Sequence, residues 1–134
     1  MLDGDTLASR FTLNSPAQRQ DIADIQSRIS FVLPRAYVDF LSICNGVRAS
    51  GGLALHEIGA LLGRNEDYDV PVLLPDHFMI GDDSGGQAIL IDRAGRLFEV
   101  GMSVMSPDGL ELSADSLEDL LIDKQGLTLS ERSD

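Results

Sequence analysis

Few side chains in this sequence are equipped to make or break bonds. There is one thiol, Cys44, there are two imidazoles, His56 and His77, and one serine stands out, Ser84 within Asp83-Ser84-Gly85-Gly86. A serine or cysteine nucleophile needs a base within hydrogen-bond reach, a carboxylate to orient that base, and amide donors for the developing oxyanion. His56 and several aspartates are available for such a set. Asp82, Asp83 and Asp92 are also oxygen donors of the kind a divalent cation takes, but a calcium loop with alternating carboxylates and a closing glutamate is missing. Two histidines 21 residues apart and a lone cysteine make no zinc pattern.

The serine segment is similar to the nucleophile segment of trypsin-like proteases. It departs from that pattern at Asp82, where glycine is expected, and at Gln87, where proline is expected. The chain is also too short for two barrels. The residues read instead as a tight turn. Cys44 falls on the apolar face of a helix, whereas a reactive thiol needs an accessible, electropositive setting. The glycine pairs 51–52 and 85–86 neither follow the dinucleotide fingerprint nor precede Lys-Ser/Thr, and Lys124 is the only lysine. We therefore assign no catalytic, metal or cofactor residue. What remains is an acidic cluster, Glu66, Asp67 and Asp69, with Tyr68 inside it. Such a cluster is either a solvated loop or an interaction patch in which tyrosine anchors and the carboxylates steer a basic partner. Asp82 and Asp83 join it as candidate partner-binding residues.

Bulk charge narrows the partners. Twenty-two acids against ten lysines and arginines give a formal charge of −12. Nucleic-acid binders need cationic surface to displace counterions, and so do proteins that dock on anionic membranes. Neither partner fits, whereas a basic protein does. A single cysteine excludes an internal disulfide and points to a reducing, cytoplasmic setting. The acidic start, Met1-Leu2-Asp3-Gly4-Asp5, lacks the apolar run of a secretory leader. Prolines and charges interrupt every apolar stretch before the length of a membrane span.

The elements that must position these residues follow from spacing. A length of 134 residues suits one domain over 1–134, with 1–14 and 125–134 irregular. With no tryptophan and few aromatics, the core is expected to be aliphatic. Ser15, Pro16 and Gln18 form a capping pattern for a helix carrying Ile22, Ile25, Ile29 and Val32 on one stripe, ending before Pro34. Pro34 opens a second helix burying Tyr37, Phe40, Leu41 and Cys44, stopped by Asn45-Gly46. A weak strand is expected near 53–57 and a single helical turn at 58–62. Residues 64–77 read as a long exposed loop, with at most a short strand at 72–74. Strands follow at 78–80, 87–92 and 96–100, the last two forming a hairpin around Asp92-Arg93-Ala94-Gly95. Residues 103–112 contain a turn at Pro107-Asp108-Gly109. A final helix starts near Asp115, capped with Glu118, and buries Leu117, Leu120 and Leu121. Grouped strands with short turns predict an α+β fold, with N-terminal helices, a central antiparallel or mixed sheet and a C-terminal helix.

Three blocks carry a resemblance. Ile80-Gly81-Asp82-Asp83-Ser84-Gly85-Gly86-Gln87-Ala88-Ile89-Leu90-Ile91-Asp92 is similar to the signature of the SUKH superfamily. So, in the same order, are Leu33-Pro34-Arg35-Ala36-Tyr37-Val38-Asp39-Phe40-Leu41 with Asn45-Gly46, and Ser113-Ala114-Asp115-Ser116-Leu117-Glu118-Asp119-Leu120-Leu121. Val47 and Gln87 depart from the family's usual residues. That superfamily includes a fungal cell-wall-synthesis regulator and many bacterial immunity proteins. The resemblance implies a curved sheet flanked by helices, no fixed catalytic residues and a variable partner surface. It also implies an immunity protein that binds and neutralises a cognate toxin, for instance a basic nuclease. A regulatory interaction module with no toxin partner is the alternative, and a small hydrolase using Ser84 or Cys44 is the remote one.

Overall fold

The computed structural model describes residues 2–132; the ends of the expected irregular termini, Met1 and residues 133–134, lie outside them. The chain opens with a short helix, α1 (Gly4–Ala8), and a strand, β1 (Thr12–Leu13). The expected irregular lead-in is thus corrected. Asp3 caps α1 by accepting the Thr6 amide at 2.8 Å, and Leu7 is fully buried. Five residues are too few to show a helical period, so burial rather than pattern selects this turn.

Helix α2 (Arg19–Arg28) begins later than Ser15 and Pro16 predict. Residues 15–17 bond instead to the end of the helix that follows Pro34 and the residues after it: the Ser15 carbonyl accepts the Asn45 amide, and the Ala17 amide donates to the Leu41 carbonyl. The helix also stops before Val32. The Gln26 side chain explains why, donating to the Phe31 carbonyl at 2.9 Å and accepting the Leu33 amide at 2.8 Å. Ile22 and Ile25 are buried, Ile29 is half-buried, and Val32 is 64% exposed. Helix α3 (Arg35–Ile43) follows Pro34 and buries Tyr37, Phe40 and Leu41, as its spacing predicts. Gly46 then takes φ +99, and a Cβ there would press on the Leu55 carbonyl at 2.6 Å.

Strands β2 (Val47–Arg48) and β3 (Ala54–Leu55) pair across Gly51-Gly52. The expected loop at 64–77 is corrected: it is mostly helical, with α4 (Ile58–Asp67) and α5 (Val70–Leu73), and it contains no strand at 72–74. Gly59 and Gly63 weaken the helical propensity of α4. Tertiary contacts offset that loss, since the Ile58 amide donates to Asn45 Oδ1 and Leu61 is fully buried. Asp69, at φ +54, links the two helices.

Strands β4 (His77–Asp82), β5 (Gln87–Asp92), β6 (Leu97–Gly101) and β7 (Glu111–Ala114) complete a seven-stranded sheet in sequential order, every pair antiparallel. The segment before β7 holds one 3-10 turn, Pro107–Gly109. The predicted final helix is reduced to two α-helical residues, 117–118, and a π-type turn, Asp119–Asp123. Its cap sits one residue later than predicted. Ser116 accepts the Asp119 amide, and Asp119 accepts that of Asp115. The expected tail at 125–134 is corrected too, because Leu129–Glu131 forms a capped 3-10 turn.

One sheet face carries Phe78, Ile80, Ile89, Ile91 and Leu97 and packs against α1 to α4 and Leu117, Leu120 and Leu121. The rare aromatics gather here: Phe31 stacks on Phe78 at 5.7 Å, and Tyr37 on Phe40 at 6.2 Å. The opposite face carries Met79, Ala88, Leu90 and Val100. Among the described residues it is roofed by Val70 of α5, Leu74 just after that helix, Tyr68, and Met102, Met105 and Leu110.

Candidate functional site

The Asp83-Ser84-Gly85-Gly86 segment joins β4 to β5, and its polar atoms are spent on the backbone. Asp83 is 9% exposed. Its Oδ1 accepts the amides of Gly85 at 2.7 Å and Gln87 at 3.0 Å. Asp82 Oδ1 accepts the Ser84 amide at 2.8 Å. Ser84 adopts φ +64, and its hydroxyl donates to the Gly52 carbonyl at 2.7 Å. A second turn repeats the pattern. Asp92 Oδ1 accepts the amides of Ala94 and Arg96, and Gly95, like Gly86, supplies a positive φ. Asp-x-x-Gly thus builds the same turn twice, with the carboxylate satisfying amides that no strand partner reaches.

The imidazole nearest this turn serves a different partner. His56 Nε2 lies 2.8 Å from Asp82 Oδ2, while Ser84 points to Gly52. The hydroxyl therefore meets a carbonyl where a nucleophile would need a base. His77 lies at the other end of β4, edge-on to Phe98 at 5.0 Å, and burial lowers its pKa. Cys44 is fully buried, and desolvation pushes its thiol up to about 11. Among the described residues no three histidine, cysteine, aspartate or glutamate side chains converge as a metal site.

The acidic cluster falls on the end of α4. Glu66, Asp67 and Asp69 are exposed, Tyr68 is half-buried against the sheet face of Met79 and Leu90, and no described residue forms an ion pair with any of the three carboxylates. Asn65, just before them, bonds to Met79 of β4. Asp82 is three residues further along that strand, about 10 Å away. The six candidate residues therefore divide into one exposed group at the start of β4 and one structural pair at its end.

Glu99 escaped sequence reasoning. It lies on β6 between Phe98 and Val100 and is 2% exposed. Its Oε2 accepts the Ser113 hydroxyl at 2.9 Å and the Leu129 amide at 2.8 Å. Burial raises its pKa, and Asp83 adds to that, while the two hydrogen bonds and Arg132 oppose it. The signal available was an acid placed, by strict alternation, on the face that also holds Leu97. Arg132 completes the group by donating to the Ser113 carbonyl and hydroxyl.

A protein of Bacillus subtilis strain 168 named as the uncharacterized protein YnaB is 31% identical over 71 residues, covering 51% of this chain and 49% of the relative. The chain thus matches about half the length of that protein. A family model matches residues 16–123, a span that contains α2, α3, the Asp83 turn, the whole β4–β7 meander and the final helical turn. With most of the chain matched, and the Asp-x-x-Gly turn and the Pro34 helix formed as its residues dictate, this protein belongs to the SMI1 / KNR4 family (SUKH-1).

Proposed function

We propose that this chain is a protein-binding domain that acts in the cytosol as an immunity protein, engaging a cognate basic toxin stoichiometrically and neutralising it. One observation carries the reading. The acidic end of α4 offers three exposed carboxylates without ion-pair partners among the described residues, set beside the half-buried Tyr68. Unpaired surface carboxylates speed encounter with a cationic protein, and an amphipathic aromatic supplies contact area at low entropic cost. Membership of the family supports it, and so does the use of Ser84 and Asp83 in turn geometry, which leaves the chain non-catalytic in this reading. Asp82 and Asp83 then act by holding the turn, with their charge adding to the acidic field.

The test is co-expression with the toxin encoded beside the gene. We expect protection of the cells and a one-to-one complex on gel filtration, both retained by Ser84→Ala and Cys44→Ala. No protection together with no complex would refute the proposal.

A further inference from the structure

The second sheet face is incompletely roofed. Phe98 and Leu112 are cross-strand partners at its β7 end, the first half-buried and the second 51% exposed. Helix α5 buries Val70 but turns Val72 outward at 77% exposure and Leu73 at 44%. Val104, beside the buried Met105, is 64% exposed. Elsewhere among the described residues only Val32 and Leu127 expose a large apolar side chain to this degree. From β4, on which α5 packs, to β7 is three strand spacings, about 15 Å. A span of that width lies within the footprint of one partner patch of roughly 800 Å².

Local charge decides the occupant. The two roofing segments, 65–77 and 101–110, hold Glu66, Asp67, Asp69, Asp76 and Asp108 and not one lysine or arginine. Asp76 pairs with Arg93, and the other four carry no ion pair among the described residues. Arg96, which leans over Phe98, is committed to Asp92 at 2.7 Å. A second copy of this chain would press carboxylates on carboxylates, which opposes self-association. Anionic lipid and nucleic acid meet the same repulsion.

We infer that this roof, with Val72, Leu73, Val104 and Leu112 beside unpaired carboxylates, is the face that docks a cationic protein. The partner's lysines and arginines meet the acids, and its apolar side chains lie on the four exposed ones. This rests on the binding role proposed above and assigns it to one side of the sheet.

The probe is the catalytically inactivated toxin domain encoded beside the gene, titrated calorimetrically into the full chain. Val72→Lys and Leu112→Lys each weaken Kd by about tenfold or more. Val32→Lys, equally apolar and exposed but in the helical layer, leaves Kd within about twofold. Amide exchange of the unmutated complex gives a second readout, with protection gained at 68–74 and 102–112. Weakening by Val32→Lys alone, or protection confined to α1–α3, overturns the docking face and leaves the binding role standing. Failure of the unmutated chain to bind removes both.

Discussion

Asn65 is 2% exposed, and its amide group makes three hydrogen bonds, donating to the carbonyls of Leu61 and Met79 and accepting the Met79 amide. Strand β3 pairs with β4 only at Gly81 and Asp82, so Met79 has no strand on that side. The side chain stands in for the missing strand. Asn65→Ala strands a buried donor and acceptor, and we expect a loss of about 2–4 kcal/mol in urea denaturation. Glu99 gives a pH prediction. Its raised pKa means the folded protein holds that proton more tightly than the unfolded chain. The stability this contributes is full below the ordinary glutamate range and fades as pH rises through the folded-state value. Asp83, Arg132 and the cross-strand Glu111 surround the group. Glu99→Gln keeps an acceptor and buries no charge, so its urea midpoint should gain on that of the native protein as pH rises above the ordinary glutamate range of about 4.3. Neither role was legible beforehand, because each depends on a partner far away in sequence. The Asp83 turn was legible, because its partners are two and four residues away.

Elements with strong internal signals formed where spacing placed them. Helix α3 and the β5–β6 hairpin have a proline start, a clear stripe or a glycine turn within their own residues. Those held by distant contacts read only in part, as the single turn expected at 58–62, or not at all. Helix α4 is weakened by two glycines and starts on the Asn45 side chain. The C-terminal turn is the extreme case, since it lies past the matched span of 16–123 and draws its order from the sheet. Thr128 is fully buried, Glu131 accepts the Gly52 amide at 2.9 Å, and the Leu129 amide satisfies Glu99. Deleting residues 127–134 should therefore cost about 2–4 kcal/mol, seen as a lowered Tm with the fold retained by circular dichroism. A tail that only frayed would leave Tm unchanged.

At the scale of the molecule, the composition reads directly as physics. A charge of −12 spread over exposed carboxylates makes a long-range field, which salt screens. For the cognate toxin, raising salt from about 50 mM to 500 mM should slow association about tenfold or more and change dissociation less, as stopped-flow mixing would show. The α+β class and antiparallel pairing were also legible, because turns of four residues permit nothing else. Which sheet face stays uncovered was not, since that depends on where α5 and the 102–110 segment settle.

The sequential strand order has a kinetic consequence. Links of four, four and nine residues join β4 to β7, whereas β1 reaches β2 only after the 33 residues that hold α2 and α3. Short links close at small entropic cost, so we expect the β4–β7 ribbon to form the folding nucleus and the α2–α3 pair to dock afterwards. Ile89→Val then slows refolding, while Ile22→Val chiefly hastens unfolding, a split that opposite limbs of a chevron plot report.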